Sequence, residues 1–174
     1  MQIALTGTPG TGKTTVAHLL PYRVIDINAL VREGLNFGTD PKRGCLEADM
    51  DGLAERLVEM DSDQIAILEG HFSHHFAQWS IVLRLAPRKL ESRLEERGYS
   101  PEKIRENLEA EALDVILVEA VEYCQRVDEI DTTGRTPQEV ADLVAKIIEE
   151  NLQMPPGQVD WLEEFLAEES NTIL

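Results

Sequence analysis

The chain has 174 residues, 43% of them hydrophobic, and carries 33 acidic against 16 basic side chains, a formal net charge of −17. That length suits one domain with a buried core and room for small inserted lids. No apolar run approaches the roughly 20 residues of a membrane span, and so acidic a balance argues against a general grip on a nucleic-acid backbone. The charge fits two situations: an acidic face that docks a basic protein, or a protein adapted to high salt, where counterions screen self-repulsion. Arginine outnumbers lysine, 11 to 5, which leans toward the second without separating them. Cys45 and Cys124 stand far apart with no partner pattern, as reduced thiols of an intracellular, cytoplasmic protein do.

The N-terminus opens on an apolar strand at 3–6, so no signal peptide is expected. It runs directly into Gly7-Thr-Pro-Gly-Thr-Gly-Lys-Thr-Thr15 and a helical pattern near 13–20. Strand, G-x-x-x-x-G-K-[ST] and helix in that order make a P-loop, which binds a nucleoside triphosphate. Gly7, Gly10 and Gly12 allow backbone angles that turn N–H groups inward, so that Gly10, Thr11, Gly12, Lys13, Thr14 and Thr15 cradle a polyphosphate at a helix N-terminus. Lys13 is expected to reach the β/γ-phosphates, and the Thr14 hydroxyl to ligate Mg²⁺.

Further strands are expected at 23–27, 64–69, 80–85 and 126–131. Helical patterns lie near 27–34, 48–60, 87–97, 101–124 and 136–151. Such alternation predicts an α/β fold: a P-loop NTPase with a doubly wound, parallel, five-stranded sheet. Ser100-Pro101 and Thr136-Pro137 read as helix caps followed by a first-turn proline, and Gly98 as a C-terminal glycine. The stretch 34–49, with Gly34, Gly38, Pro41, Lys42, Arg43 and Gly44, breaks the rhythm and is expected to form an acceptor-binding flap. After Pro155-Pro-Gly157, residues 158–167 predict an amphipathic helix with Val159, Leu162, Phe165 and Leu166 on one face. It either folds back on the core or docks a partner.

Three features narrow the reaction. No N-K-x-D-like guanine-reading motif is present, which argues against a GTPase, and the length leaves no room for the helical lid of an AAA-type ATPase. The third sheet strand ends in Glu69, at the edge where a doubly wound sheet binds its ligand, so Glu69 is a candidate for holding Mg²⁺ through water. Arg93 and Arg97, four residues apart, share one helix face and suit a clamp on the transferring phosphoryl group. His71, His74 and His75 form H-x-x-H-H, but no third spaced ligand accompanies them. His74 and His75 therefore read as structural, not as a zinc site.

Together these segments resemble the adenylate-kinase-like isoenzyme-six family, called CINAP in animals, with archaeal relatives. The likeness rests on the P-loop, on Ala29-Leu-Val-Arg-Glu33 where the family has Leu-Ala-Arg-Glu, on Glu69-Gly-His71 where it has Asp-x-His, and on Arg93-Leu-Glu-Glu-Arg-Gly-Tyr99. It runs from residue 1 to about 150. The resemblance implies an adenylate kinase type of fold, with an NMP-binding insert at about 34–60 and a lid at about 93–107 within a kinase domain of 1–151. Residues 152–174 would form a tail. It implies phosphoryl transfer from ATP to AMP with Mg²⁺, ATP hydrolysis, and a role in maturation of the small ribosomal subunit through a basic ribosomal protein. By position, Arg32 would meet the acceptor phosphate and His71 would affect hydrolysis. Arg93 and Arg97 would line the lid and adenine, and Arg135 would approach the ATP base. Two departures stand out: Glu69 replaces the usual Asp, and the helix at 107–114 is acidic where adenylate kinases carry arginines. They fit a slow kinase that also works as an ATPase. A kinase for another small acceptor, such as shikimate, and an assembly ATPase with little kinase activity are the alternatives.

Overall fold

A computed structural model describes residues 1–41 and 44–172, with side chains described through residue 167. Five strands form one parallel sheet: β1 (Gln2–Thr6), β2 (Arg23–Asp26), β5 (Ala66–Glu69), β6 (Trp79–Arg84) and β7 (Arg126–Asp131). Their spatial order is β2-β5-β1-β6-β7. All four pairings are parallel.

Alternation along these strands places two cores on opposite faces. Ile3, Leu5, Ile67, Ile81 and Leu83 pack with Val16 and Ala17 of α1 (Lys13–Ala17) and with Val140 and Val144 of α7 (Pro137–Glu149). The intervening positions Ile25, Ala66 and Leu68 pack against α2 (Ile27–Arg32) and against Leu53 and Leu57 of α3 (Met50–Glu59). Val82 meets Leu117 and Ala120 of α6 (Val115–Tyr123) on that same side of the alternation. A parallel sheet needs both faces covered, and these helices cover them. The chain leaves β1 toward β2 on one flank and later fills the other with β6, so the carboxyl ends of β1 and its neighbours frame the switch point where such sheets bind ligands.

The five expected sheet strands all form, within two residues of their predicted ends. Four features differ. The irregular stretch 34–49 holds an antiparallel hairpin, β3 (Asn36–Thr39) with β4 (Leu46–Ala48); Lys42 and Arg43 lie outside the described residues. Helix α1 is short, because the chain turns after Ala17. The helix expected over 101–124 is two, α5 (Pro101–Ala112) and α6, broken where Asp114 takes a left-handed φ of 56°. The break has a physical reason: α5 buries Ile104 against Leu90 and Leu94 of α4 (Pro87–Glu96), whereas α6 serves the core over β6. Asp114 at the corner pairs with buried Arg84. The last helix, α8 (Leu162–Thr172), starts four residues later than expected, with Val159 ahead of it. Phe165 is buried and Arg88 of α4 faces Glu164, so this helix folds back on the body.

The caps form as expected. The Ser100 hydroxyl accepts from Lys103 N–H, and Thr136 with Glu139 completes a capping box. Cys45 and Cys124 are free thiols. No helix among the described residues is long and apolar enough to cross a membrane.

Candidate active site

The loop between β1 and α1 turns on glycines with φ of 136° at Gly7, 101° at Gly10 and 104° at Gly12, values that side chains disfavour. A Cβ on Gly7 would lie 2.3 Å from the Leu83 carbonyl oxygen, and one on Gly10 would lie 2.7 Å from Leu90. Those two are required by packing as well as by angle. At Gly12 the nearest atom would be an Arg93 guanidinium nitrogen at 3.7 Å, so its backbone faces open space beside a positive charge.

Lys13 is buried beneath this loop. Its Nζ donates to the carbonyl oxygens of Gly7 and Thr8 at 2.7 and 3.0 Å, which leaves one of three N–H donors for a ligand. Burial pushes its pKa down to about 8, opposed by the charges of Glu69 and Glu111. Glu69 is buried at the end of β5, hydrogen-bonded to the Thr14 side chain. Burial raises its pKa, Lys13 offsets this, and the Asp26 carboxylate adds to the rise. Asp26 sits directly opposite Glu69 in the β2–β5 register. It also caps α2 through Ala29 N–H and pairs with Arg32 at 3.4 Å. A hydroxyl and a crowded, desolvated carboxylate at the loop's mouth are the hard oxygen donors that suit Mg²⁺.

Two cavities flank the loop. The smaller, about 160 Å³, is lined by Thr11, Gly12, Thr15, Arg93, Arg97 and Arg135, among others. The larger is a cleft of about 1320 Å³ that runs from the loop past Glu69 and His71 to Arg32 and the β3–β4 hairpin. Gly12, Thr15 and Arg97 line both. Arg93 donates to the Gly10 carbonyl at 3.0 Å, and the Arg97 charge helps depress the Lys13 pKa. His71 stands at the cleft wall with its ring edge-on to Phe72 at 4.6 Å. The crowded cleft, with the charges of Lys13 and Lys103, pushes its pKa below the ordinary histidine value, so the ring is neutral near pH 7. Arg135 Nε donates to the Asp131 carbonyl at the rim of the smaller cavity. Gly10 to Thr15, Arg32, Glu69, His71, Arg93, Arg97 and Arg135 thus each border one of the two cavities.

Two participants were not singled out. Asp26 carried a signal, a strand ending in a carboxylate as Glu69's does. Glu111 carried none, because its helix read simply as acidic. In the fold Glu111 is buried, accepting from Thr8 of the loop, from Arg84 Nε at 2.8 Å and from Leu85 N–H at 3.0 Å. Arg84 continues to Glu129 at 2.7 Å, and Glu129 accepts from Gly157 and Gln158 N–H in the tail. A line of buried charge therefore ties the phosphate loop to the C-terminal segment.

A loop of this geometry at the switch point of a five-stranded parallel sheet defines a P-loop α/β nucleotide-binding protein. A family model described as an AAA domain matches residues 3–114, which include the phosphate loop and Glu69. The fold resembles a shikimate kinase from Acinetobacter baumannii, with a TM-score of 0.60 over 86% of this chain and 93% of that one at 17% identity. Two archaeal relatives carry the name "Putative adenylate kinase". The one from Methanosarcina barkeri is 45% identical over 94% of this chain and 98% of its own. The one from Methanothermobacter thermautotrophicus is 50% identical over 91% and 96%. The chain belongs to this adenylate-kinase-named family of P-loop proteins.

Proposed function

We propose that the protein is an adenylate kinase of the isoenzyme-six type, which moves the γ-phosphoryl group of ATP onto AMP to give two ADP. The observation that carries this reading is the pair of cavities meeting at Gly12, Thr15 and Arg97. A donor held in one and an acceptor in the other would meet over Lys13. The names of the archaeal relatives support the same chemistry.

In this reading Gly10 to Thr15 cradle the ATP phosphates, and Lys13 spends its remaining donor on the β/γ-oxygens. Thr14 and, through water, Glu69 would hold Mg²⁺, which would neutralise phosphate charge. Arg97, bordering both cavities, is placed to meet charge spreading onto the transferring group, while Arg93 holds the loop through Gly10. Arg135 lines the base pocket, and Arg32 takes the AMP phosphate once it exchanges Asp26 for it. Catalysis is positioning and electrostatics, with no covalent intermediate on the protein. In this reading the NMP-binding insert at about 34–60 takes in the hairpin and α3, and the lid at about 93–107 takes in the end of α4, the turn after it and the first half of α5, within a domain of 1–151.

Hydrolysis of ATP, with neutral His71 as an acceptor beside the cleft, is the second activity of this reading. The −17 charge also suits a basic ribosomal protein as partner in small-subunit maturation, in the cytoplasm, with nucleotide state switching its hold. Lys13→Ala is expected to abolish both transfer and hydrolysis. Arg97→Ala is expected to lower the transfer rate roughly 10²-fold or more while ATP affinity stays within a few-fold. Transfer by the Arg97 variant at an unchanged rate would remove the clamp from this account, and activity in the Lys13 variant would remove the loop.

A further inference from the structure

The 3-10 turn Ser73–Phe76 follows directly on the Glu69-Gly-His71 edge and carries the adjacent His74 and His75. The sequence offers them no third partner; the fold brings one from α6. One donor atom from each of His74, His75 and Glu119 lies within 4.8 Å of the others.

Both ring nitrogens of His74 have polar partners. The Thr6 hydroxyl has one proton, donated to the His71 carbonyl oxygen at 3.1 Å. The Thr6 hydroxyl oxygen also lies 3.2 Å from His74 Nδ1, a contact that suits the Nδ1–H tautomer of the ring. In that tautomer Nε2 presents a lone pair, and it faces the Glu119 carboxylate oxygen at 3.2 Å. A cation between the two would satisfy both; without one, a proton on Nε2 makes this contact an ordinary hydrogen bond to the carboxylate. His74 is fully buried, which disfavours the imidazolium. A hydroxyl fixing the tautomer of an imidazole, with the far nitrogen aimed at a carboxylate, is the arrangement that surrounds metal-binding histidines.

His75 completes the set. Its ring lies 4.4 Å from that of His74 and rests against Tyr123 at 4.5 Å. Tetrahedral coordination at about 2.0–2.1 Å brings ligand atoms to about 3.3 Å from one another. The half-exposed His75 and Glu119 side chains can close that gap by small rotations. Glu119 also lines the large cleft, so an ion has a path in.

We propose that His74, His75 and Glu119 form a second metal site, separate from Thr14 and Glu69, that takes a first-row divalent ion of the zinc class. Two imidazoles and one carboxylate select such an ion over Mg²⁺, which prefers an all-oxygen shell. The ion would tie the turn after β5 to α6 at the wall of the cleft.

The test uses the full chain without a histidine tag, stripped with chelator and titrated with Zn²⁺ by calorimetry, with elemental analysis after dialysis. One equivalent is expected to bind and to persist in excess Mg·ATP. His75→Ala and the conservative Glu119→Gln are each expected to weaken it at least tenfold, and His18→Ala to leave it unchanged. Nitrogen-detected NMR of the metal-free protein is expected to show His74 protonated on Nδ1 alone. Absence of Zn²⁺ binding, equal binding by both variants, or a His74 ring protonated on both nitrogens at neutral pH would overturn the proposal, the last by assigning an ion pair with Glu119 instead.

Discussion

Lys13 owes its low pKa, about 8, to burial, and two consequences follow from that one side chain. Between about 8 and its unperturbed 10.5 the unfolded chain holds more protons than the folded one, so the Lys13 contribution to stability rises with pH across that window. Phosphate oxygens act in the opposite sense, raising the pKa of the bound state. Nucleotide affinity is therefore expected to hold below pH 8 and to fall above it, with proton uptake on binding near pH 8. Calorimetry in buffers of different ionisation heat measures both; affinity flat from pH 7 to 9.5 would place the ammonium away from the phosphates. The glycines divide in the same local way. Gly7→Ala drives a Cβ to 2.3 Å from a backbone oxygen and is expected to cost upward of about 1–3 kcal/mol of stability, read as a lowered Tm. Gly12→Ala meets no such wall and is expected to reduce nucleotide affinity more than it reduces Tm.

At the scale of elements, the sheet was legible because each central strand is an unbroken apolar run between turn signals, and parallel strands buried on both faces must read that way. The caps were legible because Ser100 and Thr136 stand directly before prolines. The β3–β4 hairpin was not: its residues are largely exposed, and with little burial there is no alternation to read. Nor was the break at Asp114, because apolar residues continue past it, and what makes the corner is tertiary: the separate cores of α5 and α6 and the pair with Arg84, 30 residues earlier. Glu119 was hidden for the same reason, since its meeting with His74 and His75 is a product of α6 packing on β6. Glu111 offers the sharpest test at this scale. Glu111→Ala leaves Arg84 short of its buried partner and frees Thr8 in the loop, and it is expected to cost about 3–5 kcal/mol. A Tm within a degree or two of the parent would show that Glu129 and Asp114 suffice.

For the molecule as a whole, a charge of −17 on 174 residues makes self-repulsion a standing opponent of the folded state. Screening shortens from about 10 Å at 0.1 M salt to about 3 Å at 1 M, so Tm is expected to rise with added NaCl; a constant Tm would mean the acidic groups are already locally paired. The same field would make any hold on a basic partner weaken with salt. Phosphoryl transfer between the two cavities is decided by one assay. Purified protein is mixed with Mg·ATP, with and without AMP, and ADP, AMP and free phosphate are followed separately. The account predicts AMP-dependent ADP formation, two ADP for each AMP consumed, exceeding phosphate release. Phosphate release that ignores AMP, with no AMP consumed, would contradict it and make hydrolysis the activity of this site.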